Sequence, residues 1–311
     1  MKQERHFLQA DAWGAFQKAL GRQVVTHDTR DWHFMAVIER GRLGTRLYCP
    51  YGPSASFVES LRDALHMLKA TAREHDAIFV RVEPNCDISP DHMRELGAVP
   101  APRDIQPAHT WRVDLRATEE SIIAAMRATN RNLHRNAATK GISFRKSSDP
   151  KEVEILLGFV HEVARRTRIR PHSDEYFRLQ ARTLMPLNAA HLFFAEYEGE
   201  PIAAALVYDS ETTRYYAHAG GSFAHRKLHA GTPLVSTMML DAKVSGLTTF
   251  DFYGIAPPDE PKHPWAGFTD FKKSFGGYQH DYAGTWDIPL KSFPYRMYRN
   301  ALLIASRARR R

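Results

Sequence analysis

Apolar positions fall into two successive patterns of the same kind along the chain. In the first, a short helical stretch around Asp11–Leu20 gives way to strand-like runs at Phe34–Glu39 and Arg46–Tyr48. Phe57, Leu61, Leu65 and Leu68 then recur at helical spacing, so residues 54–74 predict an amphipathic helix. AIFVRV at 77–82 has the apolar character of a buried strand, and Pro84 ends it. The proline-rich stretch 97–107 reads as a connection.

The second pattern opens with a strand at Thr110–Leu115 and a helix from about Thr118 to Lys140, ended by Gly141. Helices are expected over 150–166 and 173–184. Strands follow at His191–Glu196, Ile202–Tyr208 and Thr213–Ala219, with Glu198-Gly199-Glu200 as a hairpin turn. A helix over 232–245 leads into a strand at Thr249–Tyr253. Helices, strands, hairpin, helix and strand in that order describe an α/β acyltransferase domain, and two such units are expected.

Length and composition narrow the class. A chain of 311 residues suits two domains, and 43% hydrophobic with 25% charged residues suits a globular protein. No apolar run approaches the roughly 20 residues that span a bilayer. The opening MKQERHFLQADAW lacks the apolar core of a secretion signal, so a cytoplasmic location is expected. Cys49 and Cys86 stand alone, which fits a reducing compartment and argues against a zinc ribbon. The net charge of +8 favours anionic partners, although it also serves solubility.

The densest local signal lies in the last third. FDFYGI at 250–255 is a strand running into a glycine turn. Further on, FKKSFGG at 271–277 sets two lysines among aromatics, before a glycine pair that lets backbone approach closely. These two segments resemble the FemABX family of non-ribosomal peptidyl transferases. FLQADAW at 7–13, LYCPYGP at 47–53, IRPHSDEYF at 169–177 and YYAHAGGS at 215–222 stand in the family's order. The resemblance implies two GNAT-like domains, the second inserted into the first. The boundaries would be 1–108 plus 282–311 for the first and 109–281 for the second. It also implies an aminoacyl-tRNA donor and, as acceptor, the stem-peptide amine of a peptidoglycan precursor, either UDP-linked or lipid-linked.

By the same resemblance, Lys272, paired with Phe271, would offset charge at the reacting ester. Arg170 and Tyr176 would hold the precursor's phosphates and sugar. His218 stands where the family usually has tyrosine, and Tyr216 lies two residues before it. Alternate strand residues share a face, so both are expected in one cleft. Lys18 stands near the family's N-terminal lysine. Glu83 falls at its acidic position and is a candidate proton acceptor, or else the cap of a strand end. Asp251 is a second carboxylate near the site.

Arg127, Arg131 and Arg135 recur every four residues and would stripe one helix face. That stripe suits tRNA phosphates or is a plain solvated face. The tail YRNALLIASRARRR, residues 298–311, alternates apolar and basic groups. Contact with the inner membrane face or with tRNA stays open for it, beside simple fraying. His218, His225 and His229 lack a carboxylate or cysteine at metal-ligand spacing, so no metal is expected. Nor is a nucleotide cofactor, since neither a Walker loop nor GxGxxG occurs. No GxSxG elbow is present either, so no covalent intermediate is expected. A monomer is expected. An acetyl-CoA-type N-acyltransferase and a catalytically inactive tRNA-binding protein remain the alternatives.

Overall fold

The computed structural model describes residues 4–167 and 170–309. Along the chain come α1 (Asp11–Ala19), β1 (Gln23–Asp28), β2 (Trp32–Gly41), β3 (Gly44–Cys49), β4 (Ser54–Ala55), α2 (Val58–Glu74), β5 (Phe79–Val82), α3 (Pro90–Glu95) and β6 (Val99–Pro100). Then follow β7 (His109–Asp114), α4 (Glu119–Ala125), α5 (Ala128–Arg135), β8 (Ile142–Ser147), α6 (Val153–Thr167), α7 (Asp174–Leu184), β9 (Ala190–Tyr197), β10 (Glu200–Asp209) and β11 (Thr213–Gly221). The last are α8 (Gly231–Val244), β12 (Thr249–Gly254), α9 (Ala266–Lys273), β13 (Tyr278–Asp281), β14 (Trp286–Pro289) and α10 (Ser292–Arg309). Residues up to Ala108, together with those from Asp281 onward, form one compact unit, and His109–His280 form the other.

In the first unit the sheet runs β1-β2-β3-β5-β14-β6, with β4 paired to β2. The helical stripe of α2 supplies Leu61, Leu65, Leu68 and Ala72, which pack with Phe34, Ile38, Val80 and Val82 in one core. Burying each of those leucines contributes roughly 1.5–3 kcal/mol. The segment that returns after residue 281 is tied down by charge. Arg81 and Asp287 form a buried bidentate pair at 2.7 and 2.8 Å, and Tyr295 donates to the same carboxylate at 3.0 Å. Removing either partner would strand a buried charge, so the β5–β14 register is firmly set.

In the second unit the strand order is β13-β7-β12-β11-β10-β9-β8. β11 and β12 run parallel, and their ladder is confined to Thr213–Tyr215 against Thr249–Asp251. Beyond it each strand keeps its other neighbour: β11 pairs β10 as far as Gly221, and β12 pairs β7 as far as Gly254. The parting of these two strands is the feature on which the candidate site is built.

A single helix was expected from 118 to 140, but α4 ends at Ala125 and α5 begins at Ala128. Met126 and Arg127 between them are extended, with ψ of 154° and 145°. Arg131 donates to the carbonyls of Ala124 and Met126, which satisfies the orphan end of α4. Among the described residues no helix is long and apolar enough to cross a membrane.

Candidate functional site

Lys272 sits in the last turn of α9 and donates from Nζ to the carbonyl of Gly254, the final residue of β12. Its chain keeps some solvent contact while its ammonium end is enclosed. Burial lowers its pKa from 10.5 to about 8, and the nearby Asp251 carboxylate opposes the drop. Asp251 is fully buried at the end of the β11–β12 ladder. It accepts from Arg112 Nε at 2.9 Å and from the Tyr253 N–H at 2.7 Å. Burial pushes its own carboxyl upward, against the pull of Arg112 and these hydrogen bonds. Tyr253, between Asp251 and the acceptor carbonyl, is held at φ 63°, an uncommon backbone state for a bulky residue. A cationic donor is therefore fixed at the mouth of the strand parting.

Two cavities of this unit border the site. One, of about 320 Å³, is walled by Tyr216 and Phe271 and by the residues that lead into α8, among them His225, Arg226 and His229. Phe271 also packs edge-to-face on Phe275 at 5.1 Å. The other, of about 340 Å³, is walled by Arg170, His172, Phe177, His218 and Phe268. Lys272 is in neither wall, but its neighbour Phe271 lines the first, and Phe268, one helical turn before it, lines the second. The structure thus brings Arg170 and His218 together, and Tyr176 stacks on His172 with ring centroids 4.1 Å apart.

Tyr216 and His218 do not share a face, contrary to the alternation rule applied to the sequence. Leu206 pairs with His218 and Val207 with Tyr216, so Ala217 is an extra residue, a β-bulge. The bulge shifts the pleat by one and turns the two rings apart. Tyr216 packs towards Phe250 and Phe252, at 6.4 and 6.0 Å, while His218 meets Phe177 edge-on at 4.8 Å. Burial lowers the His218 pKa to about 4, with His172 adding to the effect, so the ring is neutral at pH 7.

Glu83 is placed differently from a proton acceptor. Its Oε2 accepts from Tyr48 Oη at 2.9 Å and from the Tyr51 N–H at 3.2 Å. Its Oε1 accepts from the Gln106 N–H and from Thr285 Oγ1, both at 2.9 Å. Four donors use a carboxylate's full acceptor capacity, so no lone pair remains for a substrate proton. Of the two roles expected for Glu83 this geometry fits the strand-end cap: it fastens three chain segments of the first unit to the end of β5. Glu83→Gln is expected to set an amide N–H₂ against two donors and cost about 1–3 kcal/mol. The melting temperature should fall while kcat of the folded fraction stays near wild type. Unchanged melting with lost turnover would restore a chemical role.

Lys18 is exposed in the last turn of α1, where its charge complements the helix end, while the adjacent Gln17 is buried and bonded to Arg22 at 2.8 Å. The arginine stripe also needs correction, because the break at Met126–Arg127 ends its helical continuity. Arg127 is the residue before α5 and lies 3.6 Å from Asp270. Arg131 is engaged by the α4 carbonyls, and Arg135 is exposed in the last turn of α5. The basic tail beyond residue 309 lies outside the described residues.

Several site residues went unrecognised in the sequence. His172 was legible only as part of IRPHSDEYF, and Phe268 gave no signal of its own. Arg226 adjoins His225 in the loop before α8, and Arg166 ends the helix that the spacing predicts over 150–166. Both guanidinium groups lie over the Phe223 ring, at 4.2 Å for Arg166 and 4.0 Å for Arg226.

Residues 124–273 match the family described as an acetyltransferase (GNAT) domain. The crystal structure of FemX superposes with a TM-score of 0.86 over 95% of each chain, at 17% identity. The C-terminal DUF2156 domain of a protein assigned as a lysylphosphatidylglycerol synthetase from Agrobacterium fabrum gives 0.61, at 15% identity, over 97% of this chain and 93% of that one. L-PGS from Bacillus licheniformis gives 0.58, at 14% identity, over 98% and 99%. No curated protein sequence matches the chain. Residues 124–273 thus match a GNAT acetyltransferase domain, and the chain has the fold of FemX.

Proposed function

We propose that this protein is an aminoacyltransferase that moves an amino acid from the ester of a charged tRNA to the stem-peptide amine of a peptidoglycan precursor. The reading rests on the Lys272 ammonium, held on the Gly254 carbonyl where β11 and β12 part, next to the cavity that Phe271 lines. The acceptor amine attacks the ester carbonyl, and the carbonyl π electrons move onto oxygen. Lys272 donates to the resulting oxyanion. Collapse of the tetrahedral species expels the tRNA ribose oxygen, which leaves with the proton that the amine gives up. The ester is already activated, so the scheme consumes no ATP.

Other features support the partners. The cavity beside Phe271 has Arg166 and Arg226 in its wall, two guanidinium groups suited to the anionic end of a tRNA. Arg170, with His218 and the stacked pair His172–Tyr176, offers a guanidinium and aromatic rings to a phosphorylated sugar. The Agrobacterium fabrum neighbour, assigned as a lysylphosphatidylglycerol synthetase, carries in its name a lysyl group joined to a lipid.

A test in cells is mass spectrometry of muropeptides from a strain lacking the protein. Loss of one aminoacyl increment is expected and would name the residue transferred; an unchanged muropeptide profile speaks against the proposal. The acetyltransferase description of residues 124–273 keeps acetyl-CoA as a second donor to examine. Thermal stabilisation by acetyl-CoA, with none from UDP-MurNAc-pentapeptide, would favour that donor.

A further inference from the structure

We infer that the outer face of α10, with the arginine-lined cavity beside it, is a docking surface for a bilayer rich in anionic phospholipid. The inference goes beyond the transfer reaction and does not depend on it. α10 is held by its inner face, where Tyr295 and Tyr298 pack on Phe79 with ring centroids 5.2 and 4.8 Å away. Among the described residues nothing covers the opposite face. Phe293 is 66% exposed, Met297 57% and Ile304 69%, values far above those of core side chains. At 100° per residue these three fall within a narrow wedge of the helix wheel, so they form one apolar stripe rather than scattered contacts.

The surroundings are cationic. From Ile288 to the end of the sequence no Asp or Glu occurs, whereas Arg296 and Arg299 do; Lys291 is paired with Asp76. Tyr298 also walls a cavity of about 680 Å³ that includes Arg22, Arg40, Arg42 and Arg46. Glu39 is its one acidic residue, and that carboxylate pairs with Arg46 at 2.5 Å. Arg46 in turn donates to Tyr298 Oη at 2.7 Å, which joins the cavity to α10. At the tip of the β2–β3 hairpin in the same wall, Leu43 is 50% exposed. Arginines at a concave surface suit phosphate oxygens. RNA would answer the charge but has nothing to cover an apolar stripe, whereas a lipid headgroup and its acyl boundary answer both.

The test is co-sedimentation of the full chain with vesicles of equal phosphatidylglycerol and phosphatidylcholine, and with pure phosphatidylcholine. Binding to the anionic vesicles alone is expected, weakening with salt. F293D/M297D and R40E/R42E should each lower that partition by about tenfold or more, with melting temperatures kept because all four positions are exposed. Failure of the wild type to bind anionic vesicles would overturn the inference, as would undiminished binding by F293D/M297D. It would also fall if R40E/R42E weakened binding of bulk tRNA, measured by fluorescence anisotropy, and left vesicle binding intact.

Discussion

Replacing Lys272 with alanine is expected to lower kcat by about 10²–10³-fold, the usual cost of losing one oxyanion donor. The acceptor KM should change little, because the oxyanion that Lys272 stabilises exists only in the transition state and not in the bound ground state. The pH dependence carries its own sign. With its pKa lowered to about 8 by burial, the Lys272 amine is cationic below that pH and neutral above it. A cationic donor to an oxyanion contributes fully below pH 8, and its contribution is lost as pH rises through 8. The attacking amine acts in the opposite sense. At a normal pKa of about 10.4 its reactive fraction grows roughly tenfold per pH unit across this range. The wild-type rate should therefore climb with pH and bend near 8, and Lys272→Ala should climb without that bend. Wild-type turnover in the alanine variant would refute the assigned role.

The largest stability effect is expected at Gly277. Its φ is 95°, and an added Cβ would lie 2.1 Å from the carbonyl oxygen of Arg112, a backbone atom that cannot swing away. Gly276 is similar, with φ 78° and a Cβ position 2.9 Å from the Ala125 carbonyl oxygen. Gly277→Ala must therefore push β13 off β7 or distort the turn that follows α9, at a cost of about 3 kcal/mol or more. At roughly 2–4 °C per kcal/mol for chains of this size, the melting temperature should drop by about 6–12 °C. Turnover should fall too, since α9 carries Lys272 just before this turn. Gly97→Ala is the control: its φ of 81° is similarly unfavourable for alanine, but its added Cβ would meet nothing within 4 Å. About 1 kcal/mol is expected there. Equal losses at the two positions would show that the clash at Gly277 does not control its stability.

The elements that pack on a core were readable from their apolar period. The Leu61–Leu68 spacing located α2, although Phe57 precedes the helix and is exposed and Ser54–Ala55 form β4. Alternation with a glycine hairpin located β9, β10 and β11. Motif order pointed to Lys272, which the structure sets at the strand parting. Features made by single insertions or by distant partners were not readable. The bulge at Ala217 leaves the residue pattern of YYAHAGG unaltered, yet it sends Tyr216 and His218 to opposite faces. The break between α4 and α5 occurs in MRATNRNLHR, where no proline or glycine announces it and a side chain four residues on, Arg131, caps the gap. Glu83 could not be decided between proton acceptor and strand-end cap because its donors Tyr48, Tyr51, Gln106 and Thr285 are spread over the sequence and meet only in the fold. Helix α9 was missed because its short, aromatic-rich stretch lacks a full apolar period.

Reconstitution with purified protein, tRNA charged with radiolabelled amino acids, and either UDP-MurNAc-pentapeptide or lipid II asks the decisive question. Label should move from the tRNA to one of these acceptors without added nucleotide, and Lys272→Ala should all but stop it. Label that stays on intact tRNA in the presence of both intact acceptors would contradict the proposal that this site transfers aminoacyl groups to a cell-wall amine.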